Sequence, residues 1–358
     1  MQPFISKSEL CHWLNQFQHP LLADGWADSM VSVPTEQSAM IRLPFAARSV
    51  IQELQAWIDA EQQRGHGAHW QCQVETQVKA LRTSVPHAVK GVKNIIAVTS
   101  AKGGVGKSTT AVNLALAIAH SGARVGLLDA DIYGPSIPLM LGQLDASPKV
   151  RDNKWMQPIE AYGIETHSIG YLVSSDDAAI WRGPMASKAL AQLLNETEWN
   201  DLDYLVIDMP PGTGDIQITL SQQIPVTGAV IVTTPQDLAL ADARKGAAMF
   251  EKVDVPVIGL VENMSYHICS HCGEHEALFG VGGAQKMAAE YGLPILAQLP
   301  LHIRVREDID AGRPTVVADP EGVLAQPYFE LADNVCSRLF WQGEAKPDAI
   351  SFTFVESE

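Results

Sequence analysis

Apolar and polar positions alternate in two different ways along the chain, and the change falls near residue 94. Before it, the pattern predicts a helix near Lys7 to Gln18, short strands around Met30 to Val33 and Met40 to Leu43, a helix from Ser49 to Gln63 and a strand near Trp70 to Val78. Gly65-His66-Gly67 separates the last two. From Asn94 onward, the apolar runs Ile95 to Thr99, Val125 to Asp129, Tyr204 to Asp208, Ala229 to Thr233 and Val257 to Val261 alternate with helical stretches. Runs that are apolar throughout belong to strands covered on both faces, so they predict a mostly parallel sheet with helices on both sides. The first intervening helix, Ser108 to His120, carries Ala111, Leu114, Ala115 and Ile118 on one stripe and meets a stop at Gly122. The expected architecture is α/β: a parallel-sheet unit over residues 92–358, preceded by a small α+β unit over residues 1–91, with Pro86 to Gly91 as the linker.

Charge sharpens this division. Of 25 basic and 41 acidic residues in the 358, eight of each lie up to Lys93, so the whole formal charge of -16 belongs to the second unit. Such a surface repels polyanions, which argues against nucleic acid or an anionic membrane as partner. No apolar run approaches the ~20 residues of a membrane helix. Glu9, His12 and Asn15 interrupt the segment where a secretory signal would be apolar, so the cytoplasm is the expected location. Five cysteines are too few for a disulfide scaffold, and Cys11, Cys72 and Cys336 read as packing thiols. The acidic end Glu356-Ser357-Glu358 reads as a solvated tail.

Between the strand ending at Thr99 and the helix opening at Ser108 stands Ala101-Lys102-Gly103-Gly104-Val105-Gly106-Lys107-Ser108-Thr109. Strand, glycine-rich turn and helix is the context of a phosphate-binding loop: backbone N–H groups turn inward around a phosphate and the helix terminus adds its dipole. Lys107 supplies a charge to the β and γ phosphates, and the Ser108 hydroxyl can ligate Mg²⁺. The strict motif wants glycine at 101 and finds alanine, a change that matters only if this residue needs positive φ. Two further strands end in acids: one runs into Asp129-Ala130-Asp131, the other into Asp208. Asp208 is the candidate magnesium ligand, and Asp131 the candidate to orient or deprotonate the attacking water. The following Met209-Pro210-Pro211-Gly212-Thr213-Gly214-Asp215 offers glycine N–H groups, Gly212 among them, to sense a γ-phosphate.

His267-Ile268-Cys269-Ser270-His271-Cys272-Gly273-Glu274-His275 holds two thiols at chelating spacing, half of a tetrahedral thiolate set. Four readings stand open. In a two-fold dimer, one pair from each chain supplies four thiolates for a [4Fe-4S] cluster. An intrachain zinc site would add two of His267, His271 and His275. A redox dithiol of the thioredoxin type should open a helix, whereas Gly273 follows. The fourth reading is a surface turn with idle thiols.

The lysine in Lys102-Gly103-Gly104-Val105-Gly106-Lys107 resembles the deviant Walker A loop of dimeric P-loop ATPases. Within that group, Asp129-Ala130-Asp131-Ile132-Tyr133-Gly134-Pro135-Ser136, Asp208 to Asp215 and Val261-Glu262-Asn263-Met264-Ser265 resemble the Mrp/ApbC iron-sulfur cluster carriers over residues 94–340. The resemblance implies a homodimer in which Lys102 reaches toward the partner's nucleotide, Lys107 and Ser108 hold phosphate and magnesium, and Asn263 contacts adenine. It further implies a bridging, transferable cluster, taken from a scaffold donor and delivered to apo-proteins. Trp181-Arg182-Gly183-Pro184-Met185 resembles a family segment near the dimer face, with Trp181 read as a packing residue, and His302 to Asp310 one near the nucleotide. The first unit resembles the small α+β domain often fused ahead of these carriers, though no cysteine motif of that domain is found here. Two other classes compete. A positioning ATPase with the same loop would need a basic C-terminal helix or DNA-binding face, and residues 341–358 hold only Lys346 as a base. A zinc-stabilised scaffold would use nucleotide structurally.

Overall fold

A computed structural model describes residues 6–35, 37–67, 70–172, 183–269 and 271–347. Trp181-Arg182 and the acidic end lie outside the described residues. In the first unit α1 (Lys7–Leu14) opens with a reciprocal cap in which Ser6 Oγ accepts the Glu9 N–H and the Glu9 carboxylate accepts the Ser6 N–H. It stops short of the expected Gln18 because Asn15 ends it, and the Asn15 side chain accepts the Ala27 N–H that opens α2 (Ala27–Met30). Then come β1 (Val31–Thr35), β2 (Ser38–Leu43), α3 (Arg48–Gln63) and β3 (Gln71–Thr76). They form a three-stranded sheet in the order β1-β2-β3, whose β2–β3 pair is parallel across α3. Val50, Leu54 and Ile58 give α3 its buried stripe.

The second unit starts with β4 (Val92–Thr99), α4 (Lys107–His120), β5 (Val125–Asp129), α5 (Ile137–Met140) and the small hairpin β6 (Val150–Arg151) and β7 (Trp155–Met156). Next are β8 (Ile159–Ala161), β9 (Ile164–Ser168), α6 (Gly183–Glu196), β10 (Leu202–Asp208), α7 (Asp215–Gln223), β11 (Gly228–Thr233) and α8 (Asp237–Lys252). The chain continues through β12 (Val257–Ile268), β13 (His275–Glu276), α9 (Gly283–Tyr291), β14 (Ile295–Leu301), α10 (Ile303–Asp310), α11 (Thr315–Ala318) and α12 (Gln326–Gln342). The main sheet runs β13-β12-β11-β4-β10-β5-β9-β8, with β14 also beside β12. Its middle is parallel and buried on both faces, as the apolar runs require, and only the β12–β13 and β8–β9 pairs are antiparallel. Among the described residues no helix is long and apolar enough to cross a membrane.

The two units share one core. A single apolar cluster passes from Leu10, Leu14 and Phe45 through Leu114 and Tyr204 to Leu331 and Val335 of α12. A second fills the opposite face of the sheet around Leu128, Leu190, Ile207 and Phe250. The expected linker is correspondingly packed: Val89 is buried and the Gly91 carbonyl accepts the Leu202 N–H. Asp333 on α12 receives the N–H groups of Arg48 and Ser49 at 2.8 and 2.9 Å, which supplies α3 with the cap that Ala47 cannot offer. Ser337 Oγ and Trp341 Nε1 both donate to the Leu21 carbonyl. Asp333→Ala should therefore lower unfolding free energy in urea by about 2 kcal/mol, because two partly buried donors lose a carboxylate. Truncating the half-exposed Arg42–Glu75 pair should cost less than about 1 kcal/mol.

Candidate nucleotide and thiol sites

The phosphate-binding loop leaves the end of β4, and the strands on that side of it, β10 and then β5, end in acids: Asp208 lies beside Val98 on one side and Asp129 on the other. Gly104 and Gly106 take φ of 81° and 82°, the left-handed region that glycine tolerates. Ala101 is not in that region, so alanine replaces the motif's glycine without strain. Gly106 is the N-cap of α4 and no side chain makes a capping hydrogen bond there, which leaves first-turn N–H groups of α4 available to an anion. Gly103, Gly104 and Lys102 are exposed at the loop's crest, and Val105 is buried beneath it.

Lys107 and Asp208 form a salt bridge through Nζ and Oδ1, with side chains only 6% and 0% exposed. The Ser108 hydroxyl lies 3.3 Å from the same Nζ. Burial raises the Asp208 carboxyl above its ordinary range, and Lys107 opposes the rise. The donor set fits magnesium: Ser108 Oγ is a hard oxygen, and Asp208 Oδ2 is buried without a hydrogen-bond partner among the described residues.

Asp129 and Asp131, one residue apart on either side of Ala130, have different surroundings. Asp129 is wholly buried, and its Oδ2 accepts the N–H groups of Ser136 and Ile137 and the Ser168 hydroxyl, while Oδ1 accepts the Asp131 N–H. It shapes the loop that presents Asp131, a role the sequence motif does not reveal because Ser168 comes from β9, the strand on the far side of β5. Asp131 is half-buried, and burial pushes its carboxyl upward while Lys107 pulls it down. Across the site the Gly212 N–H donates to the Ser100 carbonyl, which anchors the loop after Asp208 to the base of the phosphate loop.

Asn263 arrives from β12. Its Nδ2 donates to the Val105 carbonyl at 2.8 Å, and a Cβ placed on Gly106 would stand 2.1 Å from it. β12 outruns the expected end at Val261 and continues to Ile268, since Glu262, Asn263 and Ser265, too polar to read as a buried strand, are satisfied by hydrogen bonds. His302 to Asp310 forms α10 with its cap, beside α11 and α5.

The thiol pair caps the β12–β13 hairpin. Ile268 pairs with His275, the Cys269 N–H donates to the Glu274 carbonyl at 2.9 Å and the Gly273 N–H to the Cys269 carbonyl at 2.8 Å. Cys269 is half-buried and Cys272 exposed. Backbone N–H groups of Cys272 and His271, aimed at the Cys269 sulfur, pull that thiol below its ordinary range, the condition a metal-ligating thiolate needs. The histidines of the zinc reading are otherwise disposed: His267 Nδ1 bonds the Leu301 carbonyl at 3.1 Å and His275 stacks on Tyr266 with ring centroids 4.8 Å apart. Among the described residues no set of three His, Cys, Asp or Glu gathers to hold a metal. His267 is a half-buried strand residue. The three remaining cysteines lie elsewhere, with Cys11 and Cys336 buried and Cys72 half-buried.

A doubly covered parallel sheet, a glycine-rich loop leading into α4 and two strand-end acids define a P-loop NTPase. The family model for the ParA group's NUBPL iron-transfer P-loop NTPases matches residues 91–336, and the chain belongs to that family. An iron-sulfur cluster carrier protein of Haemophilus influenzae is 57% identical over 350 residues, covering 96% of this chain and 95% of its own. That of Escherichia coli is 54% identical over 357 residues, with the same coverage. These alignments take in the first unit as well. The mouse iron-sulfur cluster transfer protein NUBPL is 49% identical over 269 residues, covering 75% of this chain and 84% of its own. Among solved structures, a nucleotide-binding protein of Archaeoglobus fulgidus in complex with ADP is 38% identical with a TM-score of 0.58, covering 67% of this chain and 92% of that one. The Pyrococcus furiosus cell division ATPase MinD, 22% identical with a TM-score of 0.50 over 68% of this chain and 98% of that one, shares the fold.

Gly106→Ala should weaken ATP binding, measured by calorimetry, by roughly tenfold or more, equivalent to ~1.4 kcal/mol. The added methyl must displace Asn263 and leave the left-handed region, and both changes deform the phosphate loop.

Proposed function

We propose that the protein is an ATP-hydrolysing carrier that binds a [4Fe-4S] cluster between two copies of itself and transfers it to apo-proteins. One observation carries the reading: a thiol pair with half a coordination shell stands at the end of the same strand whose Asn263 touches the phosphate loop. Two chains related by a two-fold axis bring Cys269 and Cys272 from each, which completes four thiolates on an exposed hairpin from which a cluster can leave. The names of the bacterial relatives support the cargo, and the net charge of -16 favours protein acceptors and a soluble scaffold donor over nucleic acid or an anionic membrane. The cytoplasm is the location this chemistry suits.

In this reading ATP binds on the phosphate loop beside Asn263, which contacts the adenine while it holds the Val105 carbonyl. Lys107 exchanges Asp208 for the β and γ phosphates, while the amides of Gly103, Gly104, Val105, Gly106, Lys107, Ser108 and Thr109 close around them. Magnesium, held through Ser108 and Asp208, supplies charge neutralisation on the phosphates when bound. Asp131 orients the attacking water, the loop that Gly212 ties to Ser100 senses the γ-phosphate, and Lys102 reaches across the dimer to the partner's nucleotide. With one carboxylate to position water, hydrolysis is slow, and ATP acts as a switch between states that hold and release the cluster.

Cys269→Ala and Cys272→Ala, purified and reconstituted anaerobically with iron and sulfide, should retain roughly a tenth or less of the wild-type cluster and of its transfer to an apo-ferredoxin. ATP affinity should not change. Alanine variants with full iron content and transfer would refute the carrier reading.

A further inference from the structure

Between the two sites β12 makes an irregular step. Its pairing with β14 shifts register between Glu262 and Tyr266, and Met264 is held at φ 55°, in the left-handed region although it is not glycine. Where ladder bonds are lost, one carboxylate takes their place. Glu262, 2% exposed, accepts the Ser265 hydroxyl at 2.6 Å and the Gln298 amide at 2.8 Å on Oε1, and the Ala284 N–H at 3.0 Å on Oε2. Gln298 also donates to Ser265 Oγ at 3.1 Å. The carboxylate thus binds the strained step of β12 to β14 and to the first turn of α9. On one side of it Asn263 holds the Val105 carbonyl of the phosphate loop. On the other side, Tyr266 and His267 pair with Pro300 and Leu301, His267 holds the Leu301 carbonyl, and the strand enters the thiol hairpin.

We propose that Glu262 is the positioning residue through which nucleotide at the phosphate loop sets the geometry of the Cys269–Cys272 hairpin. The Val105 carbonyl must follow when loop amides close on a phosphate, and it pulls Asn263 with it. A strained step pinned by three donors on one buried carboxylate has no slack to absorb that displacement, so β12 passes it to the hairpin as a shift of a rigid element. Glu262 touches neither phosphate nor thiol; it acts through Asn263 on one side and Ser265 on the other. The proposal rests on the nucleotide and cluster reading for its purpose, but its test reads the thiols without a cluster.

The cluster-free protein is alkylated with iodoacetamide with and without saturating Mg-ATP, and the labelling rates of Cys269 and Cys272 are read by peptide mass spectrometry. Wild type should show at least about a threefold change in rate on adding Mg-ATP. Glu262→Gln keeps the shape but turns an N–H₂ toward donors, and it should bring that ratio within about 1.5-fold of unity with ATP affinity within about threefold of wild type. Should this variant not fold, Ser265→Ala, which removes one of the three donors, should reduce the ratio by at least half. A wild-type ratio of one, or a folded variant with the full wild-type ratio, overturns the proposal. Loss of the cluster with an intact labelling response would instead count against the carrier reading alone.

Discussion

The buried ion pair between Lys107 and Asp208 is the constraint around which the rest is arranged. An ammonium and a carboxylate this far from water are tolerable only together, and removing one partner from such a pair costs about 3–5 kcal/mol. Asp208 stands next to a second buried acid, Asp129, so the lysine also offsets repulsion between two strand ends. In the proposed function phosphate and magnesium would preserve this balance, the anion taking Lys107 and the cation Asp208. Such an exchange would leave no charge alone in the core. The loop, α4 and the parallel strands are what is needed to hold those two groups against each other. Asp129, spent on four hydrogen-bond donors, fixes the segment that carries Asp131.

The first unit belongs to this arrangement through packing. It rests on α12, and α12 covers α4 and β14, so one apolar cluster connects Leu10 to the helix that begins at Lys107. Asp333 does for α3 what a side chain at its own N-cap would otherwise do. Stability of the nucleotide site and of the first unit are therefore coupled, although no group of the first unit enters the site as described.

What was legible in the sequence follows from where burial and chemistry coincide. Strands buried on both faces are apolar throughout, so β4, β5, β10 and β11 could be read within a few residues, and the phosphate loop announced itself by its glycines between strand and helix. The second half of β12 was not legible, because Glu262, Asn263 and Ser265 are buried by virtue of partners on β14, α9 and the phosphate loop that no local pattern records. β9 was missed for a similar reason: Thr166, His167 and Ser168 are polar, yet each is buried. With β9 went the role of Asp129, whose hydroxyl partner lies there. The thiol spacing was plain, but that His267 bonds the Leu301 carbonyl and His275 stacks on Tyr266 depends on neighbours no local pattern records.

A strand that touches the phosphate loop through Asn263 and ends in a thiol hairpin amounts to part of a carrier only if the hairpin binds a transferable iron-sulfur cluster. Quantifying iron, acid-labile sulfide and zinc on anaerobically purified wild-type protein, together with its visible absorption and its mass in solution, tests this most directly. The account predicts about four iron and four sulfide per two chains with a broad visible band, on a dimeric species. Zinc bound at one ion per chain, with neither iron nor sulfide, would contradict it.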